Sequence, residues 1–198
     1  MKKLLAILAA VGLGLVTLAA PASASPKAPN VHGWLLTLSN MPQKVGWAQQ
    51  PPSSSSSPIF CSADNLTTKQ SGSWGEVNFA RGISLGMSEV VASWATQAVA
   101  KKDWQAATGL LANCHRFGEN YSGQTFQLKV KPMSFAGPRG DSTAYQATGA
   151  FDGFPVVLDF VVVLKGDAVM LMVYGGLGTP ITGDVQAMVK LAMGKIQG

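Results

Sequence analysis

Two cysteines and two histidines are all the sulfur and imidazole ligands that this 198-residue chain offers to a metal. None stands at ligand spacing except the adjacent Cys114 and His115, so neither a metal site nor a cofactor is expected. Charge is also scarce, with only 13% of residues being Asp, Glu, Lys or Arg. Lys2 and Lys3 aside, 13 basic residues face 10 acidic ones, and Lys101-Lys102 is the only basic pair. Scattered charge of this kind is a solvated surface, not a nucleic-acid footprint. Beyond the first two dozen residues no apolar run is long enough to span a bilayer. Lys165 and Asp167 interrupt the longest one.

What is present begins with an export signal. Lys2-Lys3 precedes the apolar stretch Leu4–Leu18, and Ala22-Ser23-Ala24 is a small-x-small cleavage site. Residues 1–24 are therefore expected to be removed after Ala24, leaving a secreted, extracellular or cell-wall protein. No Cys follows the apolar stretch, so no lipid anchor of the bacterial lipoprotein kind is expected, nor a stable transmembrane anchor. In an exported chain, Cys61 and Cys114 most simply form one disulfide.

The strongest pattern lies at 155–174. Two apolar arms flank Lys165-Gly166-Asp167, which reads as a hairpin turn. In the first arm Val156, Leu158, Phe160, Val162 and Leu164 share one face. Val157, Val161 and Val163 share the other, broken only by Asp159. A strand apolar on both faces belongs in the middle of a covered sheet. Strands are also expected at 76–81, 115–121, 124–131 and 143–151, the last running into the turn pair Asp152-Gly153. Helical spacing from Met87 marks Val90, Val91, Trp94, Ala95 and Ala98. Lys101-Lys102-Asp103 interrupts this pattern, and a second piece carries Trp104, Ala107, Leu110 and Leu111 to Cys114. A last helix is expected from Asp184, with Val185, Met188, Val189, Ala192 and Ile196 on one face.

The expected class is α+β. It comprises a single antiparallel sheet of about 5–6 strands, with helices at about 87–113 and 184–196 packed on one face. Residues 25–33 are expected to be a disordered lead-in. Residues 34–198 are expected to form one domain, with a flexible Ser/Pro loop at 49–58.

Chemistry is sparsely marked. Gly82-Ile83-Ser84-Leu85-Gly86 matches the G-x-S-x-G nucleophile elbow, with Ser84 as nucleophile and His115 as the only downstream base. The elbow belongs to a mainly parallel sheet, however, and these strands read antiparallel, so a plain turn competes with a serine hydrolase. Gly175-Gly176-Leu177-Gly178 reads as a loop before a helix, which is either an anion cradle or a connector. Asp159 is a carboxylate in an apolar strand, costly unless it is paired or faces a wet cavity. Trp47 and Trp74 sit at loop ends, where an exposed ring would suit a ligand. Asp159, Trp47 and Trp74 are thus the candidate binding residues.

Trp34-Leu-Leu-Thr-Leu-Ser-Asn-Met-Pro, followed by Gly46-Trp47, resembles an opening common in exported actinobacterial proteins. A Cys after a Ser/Pro tract, a helix ending in Cys, antiparallel strands and a closing helix complete the order. The arrangement is similar to the extracellular sensor domains of the PknH-like kinase group, which includes stand-alone secreted members. A second likeness is to LpqN-type lipoproteins. The resemblance implies a non-catalytic sensor-like domain of the cell envelope that binds an unknown small molecule, lipid or envelope component. It supplies no catalytic residues to carry over. A monomer is expected, and a structural surface protein is the further alternative.

Overall fold

The computed structural model describes residues 29–42, 46–51, 73–82, 84–121, 124–137, 141–178 and 182–197. The apolar hairpin lies at its centre. Strand β7 (Phe154–Lys165) pairs with β8 (Ala168–Leu177) through the turn at Gly166. Six further strands complete the sheet: β1 (Trp47–Gln50), β2 (Ser73–Arg81), β3 (Leu85–Ser93), β4 (Arg116–Tyr121), β5 (Gln124–Pro132) and β6 (Ser142–Phe151). All pairs are antiparallel, in the order β1-β2-β3-β8-β7-β6-β5-β4.

The side-chain alternation of β7 explains the layering. Val156, Leu158, Phe160, Val162 and Leu164 join one core, covered by helix α1 (Gln97–Asn113) through Ala100, Ala107 and Leu111. Val161 and Val163 join a second core on the opposite face. Helix α2 (Thr182–Lys195) covers that side through Val185, Met188, Val189, Ala192 and Met193. Two short 3-10 turns, Val31–Trp34 and Leu38–Asn40, pack on the same side, burying Val31, Trp34, Leu35, Leu36 and Met41. Residues 31–33, expected as lead-in, thus belong to the packed structure.

Three expectations are corrected. Among the described residues the sheet has eight strands where about 5–6 were expected, and with only two α-helices among them the class is mostly β. The helices lie on opposite faces, not on one, because β7 and β8 are apolar on both sides and each face needs its own cover. The helix expected from Met87 begins at Gln97. Residues Leu85–Ser93 form β3, whose interior is buried on both faces. A fully buried strand and a buried helix give the same apolar run, so spacing alone does not separate them. Thr96 caps α1, its hydroxyl accepting from the Val99 amide at 3.4 Å. The helix then runs unbroken through Lys101-Lys102-Asp103, burying Asp103.

Helix α2 is fastened at its far end. Lys165 Nζ donates to the carbonyls of Met193 (2.8 Å) and Ile196 (2.6 Å), satisfying acceptors that the helix leaves open. Lys195 Nζ donates to the Leu35 carbonyl, tying the N-terminal segment to the helix.

Candidate binding site

Asp159 points to the α2 face, where its flanking same-face neighbour Val161 is core. Its cross-strand partners are Gln146 on β6 and Tyr174 on β8. Gln146 Nε2 donates to Asp159 Oδ1 at 2.8 Å, while Asp159 Oδ2 has no hydrogen-bond partner among the described residues. The carboxyl is fully buried. Burial pushes its pKa up, and the Gln146 bond only partly opposes that.

Tyr174 extends the row. Its hydroxyl donates to Asp184 Oδ2 at 3.1 Å, a carboxylate in the first turn of α2. Burial holds the phenol well above its ordinary range, and the charge and hydrogen bond of Asp184 add to the shift. Arg81 acts in the opposite sense and Asp159 in the same one. The Trp47 ring lies tilted against Tyr174, with centroids 6.4 Å apart, and its indole N–H donates to the Pro42 carbonyl at 3.0 Å.

Sequence-derived candidates therefore divide. Asp159 and Trp47 meet through Tyr174. Trp74 does not join them: it is 47% exposed on the opposite face, paired with Ala92 near the far end of β2. Ser84 lies in the turn closed by the Arg81–Leu85 pair, a hairpin connection between antiparallel strands and not a strand-to-helix elbow. His115 immediately precedes the edge strand β4, so five strand spacings, roughly 24 Å at about 4.8 Å each, separate it from Ser84. Both side chains are exposed. Gly175-Gly176-Leu177, expected as loop, belongs to β8. Cys114 is buried at the C-cap of α1 and is not a free thiol, while Cys61 lies outside the described residues.

Asp159 lines no described cavity. The opening lies one row further along the same face, where Arg116, Gln127, Lys129, Thr148 and Gly149 line a space of about 330 Å³. Thr148 is two residues from Gln146 on β6, about 7 Å at strand rise. A second space of about 500 Å³ lies between α2 and residues 135–137, lined by Phe135, Gln186, Ala187, Lys190 and Met193 among others. The site is thus a graded strip. A buried carboxyl and phenol lie under α2, Gln146 is half-buried, and exposed cations lie towards β4.

Gln146, Tyr174 and Asp184 escaped the sequence reading because only the register brings them to Asp159. Glu89 escaped for another reason. Among the apolar residues of β3 it stands out as Asp159 does in β7, but only once the segment is read as a strand.

No family model matches the chain, and no curated protein matches it in sequence. Among solved structures, the chain is similar to the extracellular domain of PknH from Mycobacterium tuberculosis, with a TM-score of 0.50 and 10% identity. The match covers 62% of this chain and 62% of that domain. At this identity the likeness is one of fold, and it supports the sequence resemblance at that level.

Proposed function

We propose that the protein is a secreted, non-catalytic, sensor-like domain of the cell envelope that binds a small ligand on the α2 face of its sheet. The observation that carries this reading is the graded strip itself: a buried carboxyl with one oxygen unpartnered among the described residues, bordered by an open polar cavity. A carboxyl in that position costs stability unless something else is gained from it. The fold likeness to an extracellular domain supports the location, as does the leader at 1–24. Among the described residues no helix is long and apolar enough to cross a membrane. The distance between Ser84 and His115 counts against the serine-hydrolase alternative. In this reading the protein acts as a monomer without a cofactor, and Cys61 pairs with Cys114.

Intact mass spectrometry of protein recovered from the medium of its own host tests the proposal. The denatured mass is expected to match a chain beginning at Ser25 and lacking the two thiol hydrogens. Under native conditions a copurified small molecule is expected. Thr148→Trp, which fills the cavity from a half-buried position, should lower its occupancy about tenfold or more. Bare protein from every preparation would favour a structural surface protein instead.

A further inference from the structure

Every methionine after Met1 lies in or against the core on the α2 side, and the described core under α1 holds none. Thioethers are flexible and polarizable, so they adapt to irregular apolar shapes. On that side the space of about 500 Å³ runs along one flank of α2. Gly183, Gln186, Ala187, Lys190 and Met193 share this flank at helical spacing, about 15 Å from end to end at helix rise. Gly183 and Ala187 keep it hollow, and a Cβ on Gly183 would meet open space. The Phe135 ring, packed against the second core, forms the opposite wall. Gly137 makes room for that ring, since a Cβ there would lie 2.9 Å from two of its carbons. Lys190 is exposed and has no hydrogen bond or ion pair among the described residues. It is the only charged residue among the described ones lining the groove, and Gln186 adds an amide.

We propose that this groove binds a single acyl chain ending in a carboxylate, a free fatty acid. Apolar walls on both sides take the chain, in a space of the size ligand pockets commonly have. Lys190 and Gln186 donate to the carboxylate. A lysine lays its stem along apolar surface while its ammonium stays in water, so the ionised head is held without being buried. One narrow groove with one cation fits one chain with one anionic head, whereas a membrane surface engages several cations and a broad apolar face. The site is separate from the polar opening and independent of any ligand there. Ser142, whose hydroxyl adjoins Gly137, stands six residues from Thr148 on β6, about 20 Å at strand rise.

NMR of isotope-labelled methionine methyl groups in the exported chain, titrated with laurate below its micelle concentration, provides the test. Saturable shifts are expected at Met193 and at Met133, two residues from Phe135. Dodecanol and dodecyltrimethylammonium carry the same chain and should bind about fivefold more weakly, as one exposed charge pair allows. Lys190→Glu, a change at an exposed position, should reverse the preference between laurate and dodecyltrimethylammonium. Ala187→Trp fills the groove and should weaken all three about tenfold or more, while Thr148→Trp should change none. If Ala187→Trp fails to fold, Lys190→Glu decides alone. Equal affinities for the three head groups, or a laurate preference that survives Lys190→Glu, overturn the proposal. Silence with laurate overturns it too, and capture by phosphatidylglycerol vesicles would then mark a membrane-facing surface. Laurate binding lost in Thr148→Trp but kept in Ala187→Trp overturns the groove and leaves the polar strip as the binding site.

Discussion

Raising the pH from about 4.5 to about 7 is expected to cost the folded protein roughly 3 kcal/mol of stability through Glu89 alone, and Glu89→Gln should remove that part of the slope. Glu89 is fully buried on the α2 face of β3. One carboxyl oxygen accepts from the Leu36 amide at 2.7 Å, and the other has no hydrogen-bond partner among the described residues. Burial raises its pKa from 4.5 to about 7, while the Leu36 hydrogen bond and the charge of Lys195 oppose the rise without cancelling it. The folded protein therefore keeps this proton through a range in which the unfolded chain releases it. The stabilisation is complete below pH 4.5, is lost as pH climbs through 7, and changes no further above that. Asp103, buried in α1, acts in the same sense from 3.8 to about 6, again by burial, with Lys102 and then Trp94 opposing. Asp159 shifts in the same direction. Urea unfolding midpoints at pH 4.5, 5.5, 7 and 8 separate these groups. Glu89→Gln keeps an acceptor for Leu36 but carries no titrating proton, so its curve should flatten chiefly between pH 5.5 and 7. Parallel wild-type and variant curves would remove Glu89 as the cause.

The same residue shows where sequence reading stops. The central hairpin was legible because β7 alternates between two apolar faces and Gly166 marks its turn. Two apolar faces already implied two covers. Which helix covers which face is set by the connection. Helix α1 carries the chain from β3, third in the sheet, to β4 at the far edge, crossing one face on the way. No local pattern encodes that crossing, because β8 returning between β3 and β7 is a long-range pairing. Residues 85–93 were opaque for a simpler reason: buried on both faces, they carry no period of their own. Asp159 was visible as a lone charge among valines, but its companions Gln146, Tyr174 and Asp184 are ordinary residues until the register aligns them. Lys129 and Lys131 are exposed and alternate with the buried Leu128 and Val130. That they face the same side as Asp159, and that Arg116 stands opposite Lys129, follows only from the order β6-β5-β4.

Gly175→Ala is expected to destabilise the protein by about 3–5 kcal/mol, combining backbone strain with lost buried ladder bonds. Gly175 pairs with Gly86 on β3 and with Leu158 on β7, in the middle of the sheet, at φ +144°. A Cβ there would lie 2.1 Å from the Val157 carbonyl oxygen and 3.0 Å from the Leu158 Cα. Both are backbone atoms of the neighbouring strand, so no rotamer change relieves the clash, and β8 must lift from β7. Gly153 is the control. It too has positive φ, at +78°, in the β6–β7 turn, but a Cβ would meet open space. Its replacement by alanine should cost only about 1–2 kcal/mol of left-handed backbone strain. Equal losses at the two positions in urea unfolding would show that the close approach of β7 is not what requires glycine. The site offers a second readout. Tyr174 precedes Gly175, so lifting β8 draws its hydroxyl away from Asp184 and its ring away from Trp47. Fluorescence from the buried Trp47 should change in Gly175→Ala and stay constant in Gly153→Ala. The glycine expected in a loop thus holds a close approach of β7 beneath the candidate site.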